Sequence, residues 1–112
     1  MTSTLIQINR NGMGAGDEGL GIQLITNYFT LLNQDNFVPK FVTFYNSGVK
    51  LLCEDSPLLA QLKDLEAKGT KLIACKTCLK HFDLTEQLAT GLMGTMQEII
   101  ELQKICDKVI TL

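Results

Sequence analysis

The sequence predicts an α/β fold: three layers, α/β/α, with a mostly parallel sheet and helices on both faces. Three observations predict it. Short apolar or alternating runs at residues 4–8, 41–45, 70–74 and 108–112 have strand character. Segments with apolar residues at helical spacing separate them. The connections are too long for hairpins and long enough for crossovers, and no repeat or linker interrupts the alternation.

Each element has its own signature. Thr4 to Ile8 alternates as TLIQI, the first strand. A loop with Gly12, Gly14 and Gly16 follows, and a helix is expected from Glu18 to about Asn33. That helix carries two apolar stripes. Leu20, Leu24, Tyr28 and Leu31 form one; Ile22, Ile25, Phe29 and Leu32 form the other. Two stripes exceed what one sheet face covers, so Ile22, Ile25 and Phe29 are expected at a subunit contact or in unusually deep burial. Phe41 to Tyr45 is the second strand, and Asn46, Ser47 and Gly48 form the loop after it. Ser56 followed by Pro57 signals a helix start, Leu58, Leu62 and Leu65 give its buried stripe, and Gly69 stops it. Thr70 to Ala74 is the third strand, with a short helix to about Lys80 beyond it. A turn and a short strand are expected near residues 88–92. Thr95 to Glu98 fits a capping box for a helix to about Ile105, and Lys108 to Leu112 ends the chain as a strand.

Bulk composition excludes several functions. A chain of 112 residues suits one domain, 1–112, and 46% hydrophobic content builds a core without disulfide staples. The formal charge of -2 and the scattered lysines argue against nucleic acid as a partner. No stretch approaches the roughly 20 apolar residues of a membrane span, and the first residues lack the pattern of a signal peptide. A cytoplasmic location is expected. There, four cysteines imply catalytic, metal-binding or buried thiols.

The chemistry concentrates in LIACKTCLKHF. Cys75 follows a short apolar strand and Cys78 comes one helical turn later, at the carboxyl end of the sheet where open α/β folds bind ligands. Backbone amides at a helix start favour thiolate over thiol, and Lys76, Lys80 and His81 add positive potential. The pKa of Cys75 is therefore expected to fall. Two thiols at this spacing support disulfide exchange or sulfur transfer. A pair of inert buried cysteines and a zinc site are the alternatives; zinc lacks a third and fourth ligand, and no metal is expected. A thioredoxin-type oxidoreductase is a further alternative. Against it, Ala74 replaces the usual preceding aromatic, and both prolines, Pro39 and Pro57, lie upstream.

Gly14-Ala15-Gly16-Asp17-Glu18-Gly19 matches the dinucleotide fingerprint, yet Asp17 and Glu18 place two carboxylates where a pyrophosphate would sit. A tight turn capped by Asp17 is expected, with no organic cofactor. Cys53 and Cys106 lie among apolar residues as core thiols, and Met93 and Met96 as packing. His81, the only histidine, is more often a surface or packing residue than a base.

Several segments together resemble a known family. They are Asn11-Gly12-Met13-Gly14 with Asp17 to Gly21, Phe44-Tyr45-Asn46-Ser47-Gly48-Val49-Lys50, Cys75 with Thr77-Cys78-Leu79, and the closing Cys106-Asp107-Lys108-Val109-Ile110. Nearly the whole chain resembles the DsrE-like sulfurtransferase and sulfur-carrier family. It resembles most the DsrE-like domain of YedF-type selenium-metabolism proteins. The resemblance implies a sheet of about five strands, a homo-oligomer (a dimer or trimer, with a hexamer as a larger form), and a sulfane sulfur held as a persulfide on Cys75. Cys78 matches the second cysteine of the YedF-like branch alone. A TusA-like sulfur-carrier protein is the implied partner. The TusA-like domain that often precedes this one is expected to be absent, because Met1 stands directly before the first strand. On this reading Asn46, Ser47 and Gly48 line the crevice and bind the sulfur anion. A non-catalytic oligomeric assembly protein with structural thiols is the rival from another class.

Overall fold

Strand β1 (Thr4–Ile8) lies inside the sheet between two neighbours, and every one of its residues is buried. The structure, a computed structural model, describes residues 3–112. After β1 come α1 (Glu18–Gln34), β2 (Phe41–Phe44), a 3-10 segment (Asn46–Leu52), α2 (Leu59–Ala67), β3 (Lys71–Cys75) and α3 (Lys76–His81). A 3-10 turn (Thr85–Gln87), β4 (Leu92–Gly94), α4 (Met96–Ile105) and β5 (Lys108–Thr111) complete the chain. The five strands form one sheet in the order β4-β3-β2-β1-β5, and every neighbouring pair is parallel.

The order explains the layers. From β1 to β4 each crossover steps the same way, so right-handed connections put α1, α2 and α3 on one face. The connection through α4 returns across the whole sheet to the far side of β1 and lies on the other face. Strand alternation matches. Ile6, Ile8, Val42, Phe44, Leu72 and Ala74 join Ile25, Phe29, Leu62 and Leu65 in the larger core. Leu5 and Ile73 face the other way and pack with Leu102 and Cys106. Phe29 and Phe44 are among the largest fully buried side chains, and burial of each stabilises by about 1.5–3 kcal/mol.

The structure decides one open expectation, in favour of deep burial for Ile25 and Phe29, and corrects three others. On α1 it is the first stripe that faces out: Leu20, Leu24 and Leu31 are 51%, 42% and 63% exposed, while Ile25 and Phe29 are fully buried and Ile22 partly so. The buried line is Gly21, Ile25 and Phe29. A count of large apolar residues misses it, because its first member is a glycine lying against Gly12 and Met13. Second, residues 46–52 form a 3-10 segment, not an open loop. Third, α2 begins at Leu59; the Ser56 hydroxyl accepts from Leu58 N at 3.4 Å, so Ser56 and Pro57 shape a turn before the helix. Fourth, the short strand lies at Leu92–Gly94, while Leu88 makes only an isolated bridge with Cys53. The Thr95 capping box forms as the sequence predicts: Thr95 Oγ1 accepts from Glu98 N, and Glu98 accepts from Thr95 N.

Candidate functional site

Strand β3 ends at Cys75, which is also the cap of α3, and Cys78 lies in the first turn of that helix. All four cysteines are free thiols. Cys75 is 2% exposed, whereas Cys78 is half-buried. The neighbouring strand β2 delivers the third part of the site. Tyr45 ends the extended run, and Asn46 then adopts a left-handed conformation, φ +52°. Asparagine tolerates that region better than most residues, and a non-glycine residue held there often marks a functional site. Here the conformation aims the Asn46 backbone N–H at Cys78 Sγ, at 3.0 Å.

The amide therefore serves Cys78, not Cys75 as the sequence leads one to expect. Burial is the main influence on Cys78 and pushes its thiol up. The neighbouring Cys75 side chain also raises it, while the Asn46 amide lowers it. Upward influences dominate, so Cys78 is mainly a neutral thiol at neutral pH.

The accessible sulfur opens into a cavity of about 390 Å³ lined by Tyr45, Asn46, Thr77, Cys78, His81, Phe82 and Met96. The His81 ring stands edge-on to Phe82, with centroids 5.0 Å apart at 84°. Lys50 Nζ lies 4.7 Å from the Phe82 ring centre and brings a cation next to the cavity. His81 sits three residues after Cys78, so helical spacing alone could have placed it on the same side. Met96 comes from α4, and no local pattern points to it.

The three residues Asn46, Ser47 and Gly48 do not share one crevice. Only Asn46 lines the thiol cavity, and its side-chain Oδ1 accepts from Ser47 N at 2.8 Å instead of facing the sulfur. Ser47 turns away: its Oγ accepts from Asn11 N at 3.2 Å, at the glycine-rich loop. Gly48 is buried against β1, where a Cβ would stand 2.5 Å from the Ile8 carbonyl oxygen. Its role is close backbone approach.

The glycine-rich loop borders a second crevice, lined by Arg10, Asp17, Glu18, Ser47 and Lys50 with the loop backbone. Asp17 Oδ1 accepts from Leu20 N at 2.7 Å, so the helix start is already occupied by a carboxylate. Cys53 is buried and donates to the Val49 carbonyl at 3.3 Å, and Cys106 is buried on the other face. Among the described residues, no three histidine, cysteine or acidic side chains cluster in a way that would hold a metal ion.

The family model of the DsrE/DsrF-like family matches residues 3–112. The chain belongs to the DsrE/DsrF-like family. Solved structures agree in fold. The ychN protein from E. coli is 22% identical with a TM-score of 0.72, and each chain is covered in full. MTH1491 from Methanobacterium thermoautotrophicum, a protein of unknown function, is 21% identical with a TM-score of 0.72, again with full coverage. BT1422 from Bacteroides thetaiotaomicron is 14% identical with a TM-score of 0.69, covering 98% of this chain and 95% of that one. No curated protein matches by sequence. No helix among the described residues is long and apolar enough to cross a membrane.

Proposed function

We propose that this DsrE-like chain is a sulfur carrier or sulfurtransferase subunit that holds sulfane sulfur as a persulfide on Cys75. The observation that carries the reading is the pair Cys75 and Cys78, less than one helical turn apart at the carboxyl end of β3, with Cys78 opening into a small cavity and accepting the Asn46 amide at 3.0 Å. A thiolate attacks the outer sulfur of a donor persulfide; the donor S–S bond breaks, the donor leaves as a thiolate, and a protein persulfide forms. Nothing is oxidised or reduced overall, so no organic cofactor is required. Burial of Cys75 shields the stored sulfur from competing thiols.

Incubation with a sulfane-sulfur donor, followed by desalting and intact-mass measurement, tests the reading. The wild type should gain one sulfur atom, recovered on Cys75. Cys75→Ser should lose the stored sulfur, and Cys53→Ser and Cys106→Ser should keep it. A wild type that gains none would favour an assembly protein with structural thiols.

The same reading includes self-association and a TusA-like partner. Leu20, Leu24 and Leu31 on α1, and Leu92, Met93, Met96 and Ile100 on the other side, are exposed apolar residues on a small chain. Covering apolar area stabilises by about 25 cal/mol per Å². Met96 also lines the thiol cavity, which would place a subunit boundary beside the site. Light scattering at micromolar concentration should give a dimer, trimer or hexamer. A mass near the monomer value of 12.4 kDa would overturn this.

A further inference from the structure

We infer that the two thiols work in a fixed order: Cys78 meets the incoming sulfur, and Cys75 receives it from Cys78 and stores it. This order rests on the sulfur-carrier reading above and divides its chemistry between two residues. An attacking thiolate must reach the donor sulfur along the line of the bond that breaks. Cys75 is 2% exposed and does not line the cavity. Cys78 does line it, so a donor entering there touches Cys78 first. Cys75 caps α3 and Cys78 lies in its first turn, so the second step runs between neighbouring side chains and needs no further approach by the donor.

Each step balances. Cys78 loses its proton, with water and the His81 imidazole of the same cavity as available acceptors. Its thiolate attacks the outer sulfur of the donor persulfide, and the donor departs as a thiolate. Cys75 gives up its proton to water in turn, and its thiolate attacks the outer sulfur now on Cys78. That S–S bond breaks, a new one forms on Cys75, and Cys78 leaves as a thiolate. The Asn46 amide, 3.0 Å from Cys78 Sγ, stabilises that departing charge, and this gives the left-handed backbone at Asn46 a function. Delivery to an acceptor reverses the sequence.

The test uses glutathione persulfide as donor, rapid quenching with an alkylating agent, and peptide mapping of the added sulfur. In the wild type the sulfur should appear on Cys78 at early times and on Cys75 later. Cys75→Ser should still take up sulfur and retain it only transiently, on Cys78. Cys78→Ser should load Cys75 about tenfold more slowly or worse, because the remaining thiol has almost no open surface. Sulfur appearing first on Cys75 in the wild type, or Cys78→Ser loading at the wild-type rate, would overturn the order while leaving the carrier reading intact. A wild type that gains no sulfur on either thiol would overturn both. The wild-type time course decides the matter even if a variant fails to fold.

Discussion

Two crevices lie along the carboxyl edge of the sheet, and they differ in what fills them. The strand order reverses between β1 and β5, and the glycine-rich loop follows β1 there. General topology favours that spot for a ligand. Yet its helix start is occupied by Asp17, and its wall adds Glu18. The thiol cavity sits away from the reversal, at the ends of β2 and β3, and is lined by Cys78 and His81. Topology favours one point on this edge, and the side chains that could support chemistry lie at another. One short segment serves both: Asn46 faces the thiols, Ser47 the glycine loop, and Gly48 anchors the pair to β1.

The strongest way to break the comparison is at the anchor. Gly48→Ala would force a methyl against the Ile8 carbonyl, and a cost of about 3 kcal/mol is expected. Denaturant unfolding should show that loss, and both crevices should suffer together; a variant with wild-type stability would contradict the close approach.

Next in size is the pH response of Cys78. Its pKa is raised, mainly by burial, so the neutral thiol dominates at pH 7 and thiolate appears only as the pH rises. Alkylation of Cys78 in a Cys75→Ser background should accelerate about tenfold per pH unit up to a midpoint above the ordinary value of about 8.5. The Cys75→Ser change removes the raising influence of Cys75 and leaves burial, so a midpoint well below that value would show that the Asn46 amide outweighs burial.

A smaller effect separates the two sides of the segment. Ser47→Ala removes the acceptor for Asn11 N and should cost about 1 kcal/mol at most, with Cys78 alkylation unchanged. Altered thiol kinetics would mean that the crevices communicate. The smallest expected signal is none at all: NAD or FAD titrated to micromolar levels should not saturate the glycine crevice, because Asp17 and Glu18 oppose phosphate.

Much of the fold is legible in the sequence because its signals are local. The capping box at Thr95, the stop at Gly69 and the apolar strand before Cys75 each depend on neighbours in the chain. The orientation of α1 is not local. It is set by Gly21 meeting Gly12, and a residue without a side chain leaves no mark on a hydrophobic stripe. The pairing of Cys75 with Cys78 follows from spacing, and His81 was within reach of the same argument. The direction of the Asn46 amide depends on a single backbone torsion, and Met96 arrives from an element that crosses the sheet. Neither leaves a periodic trace. Adjacency alone groups Ser47 and Gly48 with Asn46, but a 3-10 segment turns successive residues to different sides.

The last crossover also sets a schedule for synthesis. Strand β5 pairs with β1, and Ser3 exchanges hydrogen bonds with Asp107, contacts 104 residues apart in sequence. A chain emerging from the ribosome can assemble β1, β2 and β3, and with them both thiols and Asn46, before that outer edge of β1 has a partner. Until residues 108–111 arrive, β1 presents an open strand edge of the kind that recruits other chains. Cys75, Cys78 and Asn46 are thus encoded ahead of the strand that covers this edge, and pairing of β5 with β1 is the longest-range closure in the sheet.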